Sequence, residues 1–273
     1  SNLKDLINDK NFKVINKDIT KKINIKADEI YNFASPASPV HYQFDPLKTI
    51  KVNVIGSLNL LENAKKYNSK ILQASTSEVY GDPLIHPQSE DYWGNVNPIG
   101  IRSCYDEGKR AAESIFYDFY RQYKTKIKIV RIFNTYGPYM QVNDGRVISN
   151  FVVNALQNKD INIYGNGKQT RSFCYITDLV DIILKIMKSK NSILGPFNIG
   201  NDKEYSMNEI ADTVLKLCKS KSKIKFKKLP QDDPKKRKPD LKKVKNTFNW
   251  KAKVNLEDGL KETINYFKFK LNN

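Results

Sequence analysis

Short apolar runs alternate along the first half of the chain with longer stretches whose apolar residues recur every three to four positions. The runs at 12–15, 29–34, 70–74 and 126–133 have strand length. Between them Val54, Leu58 and Leu61, and then Ala111, Ile115 and Phe119, keep helical spacing. Strand and helix in alternation predict a parallel sheet covered by helices on both faces. After Gly137-Pro138 the order loosens into a helix, a short strand at 161–164, a helix at 178–187, a strand at 197–199 and further helices. Ser206 followed three residues later by Glu209 is a capping box, so a helix carrying Ile210, Val214 and Leu217 starts there. The prolines at 234 and 239 predict a loop over 232–240, with Asp240 placed to cap the next helix.

The expected class is therefore α/β, a Rossmann-like doubly wound parallel sheet with a smaller α/β domain. One part of that fold is missing from the pattern. Dinucleotide-binding sheets open with a strand, a glycine-rich turn and a helix, because only glycine lets the backbone approach a pyrophosphate at the helix N-terminus. Here the first glycine is Gly56. Gly165-Asn166-Gly167 follows a strand but leads into Lys168-Gln169-Thr170-Arg171, not an apolar helix, and so is not that turn. The chain is expected to begin inside the fold, lacking its first β-α-β segment.

Composition changes this picture little. A length of 273 residues with 40% hydrophobic content suits a globular protein, and no run reaches the roughly 20 apolar residues that span a bilayer. No secretory pattern opens the chain, so no membrane partner and a cytoplasmic location are expected. The formal charge of +18 invites a nucleic-acid reading, but only seven of the 47 basic residues are Arg, and the lysines are scattered among Asn and Ile. Solvated surface is the simpler account, and no nucleic-acid partner is expected. Cys104, Cys174 and Cys218 are odd in number and far apart, which suits a reducing compartment. With only His41 and His86 as imidazoles, no zinc site and no other metal is expected.

Candidate chemistry gathers at the carboxyl ends of predicted strands, where open α/β sheets bind ligands. One strand runs into Ser75-Thr76-Ser77-Glu78-Val79-Tyr80-Gly81, another into Arg131-Ile132-Phe133-Asn134-Thr135-Tyr136-Gly137-Pro138. Tyr105 and Lys109 open a helix four residues apart, so phenol and ammonium share one face. A free tyrosine, with a pKa of about 10, is a poor base, and a nearby cation favours its phenolate. The same spacing also describes an ordinary pair on a helix surface.

These segments, with Asn97-Pro98-Ile99-Gly100, Asn143-Asp144-Gly145-Arg146-Val147 and the stretch from Tyr164 to Phe173, resemble the extended short-chain dehydrogenase/reductase family over nearly the whole chain. Within it, Ala34-Ser35-Pro36-Ala37-Ser38-Pro39, Thr76-Ser77-Glu78 and the run from Asp232 to Asp240 are most similar to the UDP-glucuronate decarboxylase branch. The resemblance implies NAD as cofactor and a UDP-sugar as substrate. It implies an NAD-binding domain over 1–138 plus 172–196 and a nucleotide-sugar-binding domain over 139–171 plus 197–273.

It further implies that Tyr105 takes the proton of the sugar 4-hydroxyl with Thr76 sharing the hydrogen bond, while Lys109 holds the nicotinamide ribose and depresses the Tyr105 pKa. The 4-keto sugar so formed is a β-keto acid that loses its carboxylate without a metal. Glu78 and Arg171 are implied at the carboxylate-bearing C5 side. Ser77, Asn134, Arg146, Tyr164, Arg171 and Arg237 are implied to bind substrate, and Asp18, Ile19, Ser35, Ala74 and Thr135, with Tyr105 and Lys109, to line the cofactor. Related 4,6-dehydratases carry an acid where Ser77 stands, which disfavours loss of water here. A UDP-sugar 4-epimerase using the same Tyr105 and Lys109 remains open, as does an inactive nucleotide-sugar-binding fragment. Relatives dimerise through two helices per subunit, which implies a homodimer built on 54–66 and 105–123.

Overall fold

The computed structural model describes residues 2–229 and 236–272. Its main sheet has four parallel strands in the order β1-β2-β3-β8: β1 Glu29–Asn32, β2 Lys70–Thr76, β3 Lys126–Ile132 and β8 Phe197–Ile199. Alternation of side chains explains how two cores form on one sheet. Ile71, Ile127 and Ile129 face α3 (Ser57–Tyr67) and α4 (Ser103–Tyr123), packing on Leu60, Leu61, Ala64 and Phe116. Leu72 and Val130 point the other way, onto Ile182, Ile183 and Ile186 of α6 (Ile176–Lys188). β2 is buried along nearly its whole length, as a strand covered on both faces must be.

A buried polar set ties the helix of Tyr105 to this sheet. Arg131 on β3 donates from Nε and Nη2 to Glu113 of α4 at 3.0 and 2.7 Å, and Ser75 Oγ donates to the same carboxylate at 2.5 Å. The three elements are thereby fixed in depth as well as in angle, because a buried charge pair tolerates little displacement.

A third core lies between α5 (Val147–Leu156), β5 (Ile161–Tyr164), α7 (Met207–Cys218) and α9 (Leu256–Asn272). β6 (Thr170–Ser172) pairs parallel with β11 (Lys236–Arg237) and antiparallel with β9 (Glu204–Ser206). β5 pairs with β10 (Ile224–Lys227), and β4 (Thr135–Tyr136) with β7 (Cys174–Tyr175). Two short helices, α1 (Pro39–Phe44) and α2 (Pro46–Lys51), lead through a π-helical turn into α3, and α8 is Lys242–Phe248.

The capping box is present: Ser206 Oγ accepts the Glu209 N–H, and Glu209 accepts the Ser206 N–H. Asp240 accepts the Lys242 N–H one position before the cap of α8. Four expectations are corrected. Residues 12–15 form no strand, and the main sheet ends at β1 without them. The buried stripe of α4 runs through Ala112, Phe116 and Phe119, one position on from Ala111 and Ile115, since the helix turns its Tyr105–Lys109 face inward. Phe197–Ile199, expected within the nucleotide-sugar-binding domain, extends the main sheet by pairing with Val130–Ile132. Within the expected 232–240 loop Lys236–Arg237 is a strand, and 232–235 lie outside the described residues.

At the end of β2 the chain turns through a 3-10 helix, Ser77–Tyr80, into Gly81 at φ +61° and ψ −138°. A β-carbon there would overlap the Asn95 carbonyl group. Gly81→Ala is therefore expected to destabilise the fold by more than about 1 kcal/mol, seen as a lowered melting temperature.

Candidate active site

The carboxyl end of β2, the first turn of α4, the loop around β4 and the small sheet enclose a cavity of about 980 Å³. That is enough for a ligand of nucleotide size. Thr76, Ser77, Glu78, Tyr105, Lys109, Asn134, Thr135, Arg146, Tyr164, Arg171 and Arg237 all reach its wall, as do Ser35 and Ala74. Asp18 and Ile19 do not. Asp18 accepts hydrogen bonds from the Thr20 N–H and hydroxyl, and Ile19 packs against Gly56 while its carbonyl accepts from Asn59.

Tyr105 and Lys109 are 5% and 4% exposed, so they are not a helix-surface pair. Lys109 Nζ donates to the Ala74 carbonyl at 2.8 Å and stands 5.7 Å from the centre of the Tyr105 ring. Burial lowers its pKa to about 8 against the opposing charge of Glu113. The Tyr105 phenol is raised well above its ordinary value, first by burial and then by the Glu78 charge, while a hydrogen bond with Thr76 works toward the phenolate. Burial thus outweighs the depression expected from Lys109. The ring lies parallel to that of Tyr42, with centres 4.9 Å apart and planes 5° apart.

Glu78 is buried and doubly paired. Arg237 donates to both carboxylate oxygens, from Nη2 at 2.8 Å and from Nη1, and Arg102 Nη2 donates to Oε2. Burial alone would raise the Glu78 pKa; Arg237 and Arg102 overcome it and hold the group ionised. Arg171, also buried, donates to the Thr170 carbonyl and adds positive charge at Glu78. Arg146 is oriented by a two-pronged bond to Asp144, with Nη2 to Oδ2 at 2.7 Å. Asn134 accepts the Cys174 N–H through its carbonyl, and Thr135 donates to the Phe133 carbonyl.

Tyr42, Arg102 and Asp144 line this cavity, Asp106 stands against Arg102 outside it, and none of the four was singled out from the sequence. For Arg102 and Asp106 a signal exists: they are four residues apart and bracket Tyr105. Tyr42 has none, since its position follows from how α1 packs.

A parallel sheet with a buried tyrosine and lysine one helical turn apart, facing a large cavity rich in arginine, defines a nucleotide-handling oxidoreductase-type fold. The chain belongs to the GDP-mannose 4,6 dehydratase family, whose sequence profile matches residues 2–263, consistent with the short-chain dehydrogenase resemblance. It is 51% identical over 271 residues to UDP-glucuronic acid decarboxylase 3 of Arabidopsis thaliana, covering 99% of this chain and 79% of that protein. To UDP-glucuronic acid decarboxylase 1 of Xenopus tropicalis it is 48% identical over 270 residues, covering 99% of this chain and 64% of the relative. Among solved structures, UDP-glucuronic acid 4-epimerase of Bacillus cereus in complex with UDP-glucuronic acid and NAD overlays with a TM-score of 0.81 at 26% identity, covering 89% and 76% of the two chains.

Proposed function

We propose that this protein is an NAD-dependent UDP-glucuronate decarboxylase that forms UDP-xylose through a 4-keto sugar. The observation that carries the reading is the placement of a buried Tyr105–Thr76–Lys109 set opposite three buried arginines, with one wall suited to a sugar hydroxyl and the other to a carboxylate.

The residues present fit the nicotinamide end of the cofactor. An ammonium has three donors, and the Ala74 carbonyl takes one, which leaves Lys109 donors for ribose hydroxyls. NAD held there by Lys109 would supply a reversible hydride acceptor for C4 of the sugar. Tyr105, aided by Thr76, takes the 4-hydroxyl proton and gives it back at the end. The positive charge of a bound nicotinamide would supply what burial withholds from the Tyr105 phenolate. Arg171 and Arg237, with their planar forks, hold the sugar carboxylate until it leaves as carbon dioxide from the β-keto acid, the bonding pair passing into the C4 ketone as an enolate that then takes a proton at C5. Arg146 and Asn134 orient the UDP portion, with Ser77 and Tyr164 at the sugar.

Incubating the protein with UDP-glucuronate and NAD tests this directly, with carbon dioxide and the sugar nucleotide followed together. Release with UDP-xylose formation is expected. A C4 epimer without carbon dioxide would assign the same residues to a 4-epimerase, and no reaction on a saturated protein would overturn both readings. NAD affinity is expected to weaken as pH rises through about 8, where Lys109 loses its proton. A fluorescence titration on either side of that value checks it, and Lys109→Met should flatten the dependence.

No described helix is long and apolar enough to cross a membrane. A cytoplasmic homodimer formed through α3 and α4 is part of the proposal. The dimer is supported by the exposed Ile55 of the π-helical turn, Leu58 of α3 and Tyr123 of α4 and is tested by sedimentation velocity.

A further inference from the structure

On the far side of Arg102 from the main cavity lies a second, smaller one of about 190 Å³, lined by Gly81, Asp82, Asn95, Val96, Asn97 and Asp106 together with Arg102. Arg102 reaches both cavities and forms the partition between them. Its Nη2 bonds Glu78 on one side, and its Nε stands 3.8 Å from Asp106 Oδ2 on the other. Asp106 is 6% exposed, and its Oδ1 has no hydrogen-bond partner among the described residues. A buried carboxylate oxygen without a donor is costly as an anion and cheap as an acid, so the site favours a proton.

The groups around it divide unevenly. Glu107 and Arg102 share its helix, Glu78 faces it from the 3-10 turn and Arg237 from β11, with Asp82 across the small cavity. The phenols of Tyr42 and Tyr105 also feel its charge. Burial and the Glu78 charge together push Asp106 up to about 7, against Arg102 and Arg237.

We propose that Asp106 is a positioning residue that takes up a proton when a carboxylate-bearing sugar nucleotide fills the main cavity, leaving Arg102 wholly to Glu78 and the ligand. The proposal rests on the decarboxylase reading for the identity of that ligand. A uronate carboxylate beside Arg237 and Arg171 adds negative charge to a region that already holds Glu78. It also competes for Arg102, the nearest cation holding Asp106 ionised. Both effects raise the affinity of Asp106 for a proton. A neutral hexose in the same cavity exerts neither, so the device discriminates by charge at C5.

Isothermal titration calorimetry in buffers of different ionisation enthalpy reads the proton directly. In Tyr105→Phe protein with NAD, where turnover is blocked, UDP-glucuronate is expected to bind with uptake of about half a proton per site near pH 7, and UDP-glucose with none. Uptake should vanish below pH 5.5 or so, where Asp106 is already protonated. Adding Asp106→Asn should abolish it, while Glu107→Gln on the same helix should leave it in place. Should the Asp106→Asn protein not fold, the pH dependence of uptake in the parent still decides. UDP-glucuronate that binds with the same heat in every buffer, or equal uptake with UDP-glucose, overturns the proposal and leaves the decarboxylase reading standing. Absence of carbon dioxide from wild-type protein in the parallel assay overturns that reading whatever the buffers show.

Discussion

Tyr105→Phe should lower kcat for carbon dioxide release by about 10²- to 10⁴-fold, the usual contribution of a positioned acid–base group. Its affinity for UDP-glucuronate should stay close to wild type. The substitution deletes one oxygen and keeps a ring that is buried and stacked on Tyr42, so neither the first turn of α4 nor the cavity wall has cause to move. What is lost is the acceptor for the 4-hydroxyl proton. Decarboxylation is downstream of the oxidation, because the carbon–carbon bond is stable until C4 becomes a ketone able to take the electron pair. Carbon dioxide and pentose nucleotide should therefore fall together. A variant that still released carbon dioxide at the wild-type rate would remove Tyr105 from the chemistry. Single-turnover assays with a binding titration on the same preparation separate the two quantities.

Glu78→Gln should be the more damaging change to the protein as a whole. Arg237 and Arg102 converge on one buried carboxylate, and an amide of the same shape takes away the counter-charge both are bonded to, leaving Asp106, 3.8 Å from Arg102, as the nearby carboxylate. Removing one partner of a buried ion pair costs about 3–5 kcal/mol. Denaturant titration should show a lower midpoint with an unchanged slope, since the surface exposed on unfolding is the same. The value of kcat/KM should drop by about 10²-fold or more, because Arg237 would no longer be held where the sugar carboxylate must sit. Equal stability of variant and wild type would mean that the pairings seen here do not persist in solution.

How far the sequence carried the site depends on how local each feature is. Tyr105 and Lys109 could be found because helical spacing places them on one face, and Thr76 and Glu78 because they follow a strand into its carboxyl edge. The partner of Glu78 could not be found that way. Arg237 is 159 residues away and belongs to a two-residue strand, too short for any periodic pattern. The same shortness hid β4, β7 and β9. The strand expected at 12–15 failed for a different reason: apolar alternation records a wish to pair, and pairing needs a neighbour. Asp18 and Ile19 were placed by resemblance alone; in the structure Asp18 closes a local turn with Thr20 and Ile19 packs against Gly56. The burial of Tyr105, which decides its proton affinity, is a property of packing from α1 and could not be read from Tyr-x-x-x-Lys.

The bond between Glu78 and Arg237 joins the main sheet to the smallest strand of the smaller one. Without the main sheet Arg237 would be an uncompensated buried charge at the place where the ligand binds, and without β11 Glu78 would be left with Arg102 alone. The two halves consequently share one folding cooperativity: opening β11 exposes the same carboxylate that anchors the end of β2. In hydrogen-exchange language, the amides of this two-residue strand should belong to the slow, globally protected class, despite its length and its place at the edge of a sheet.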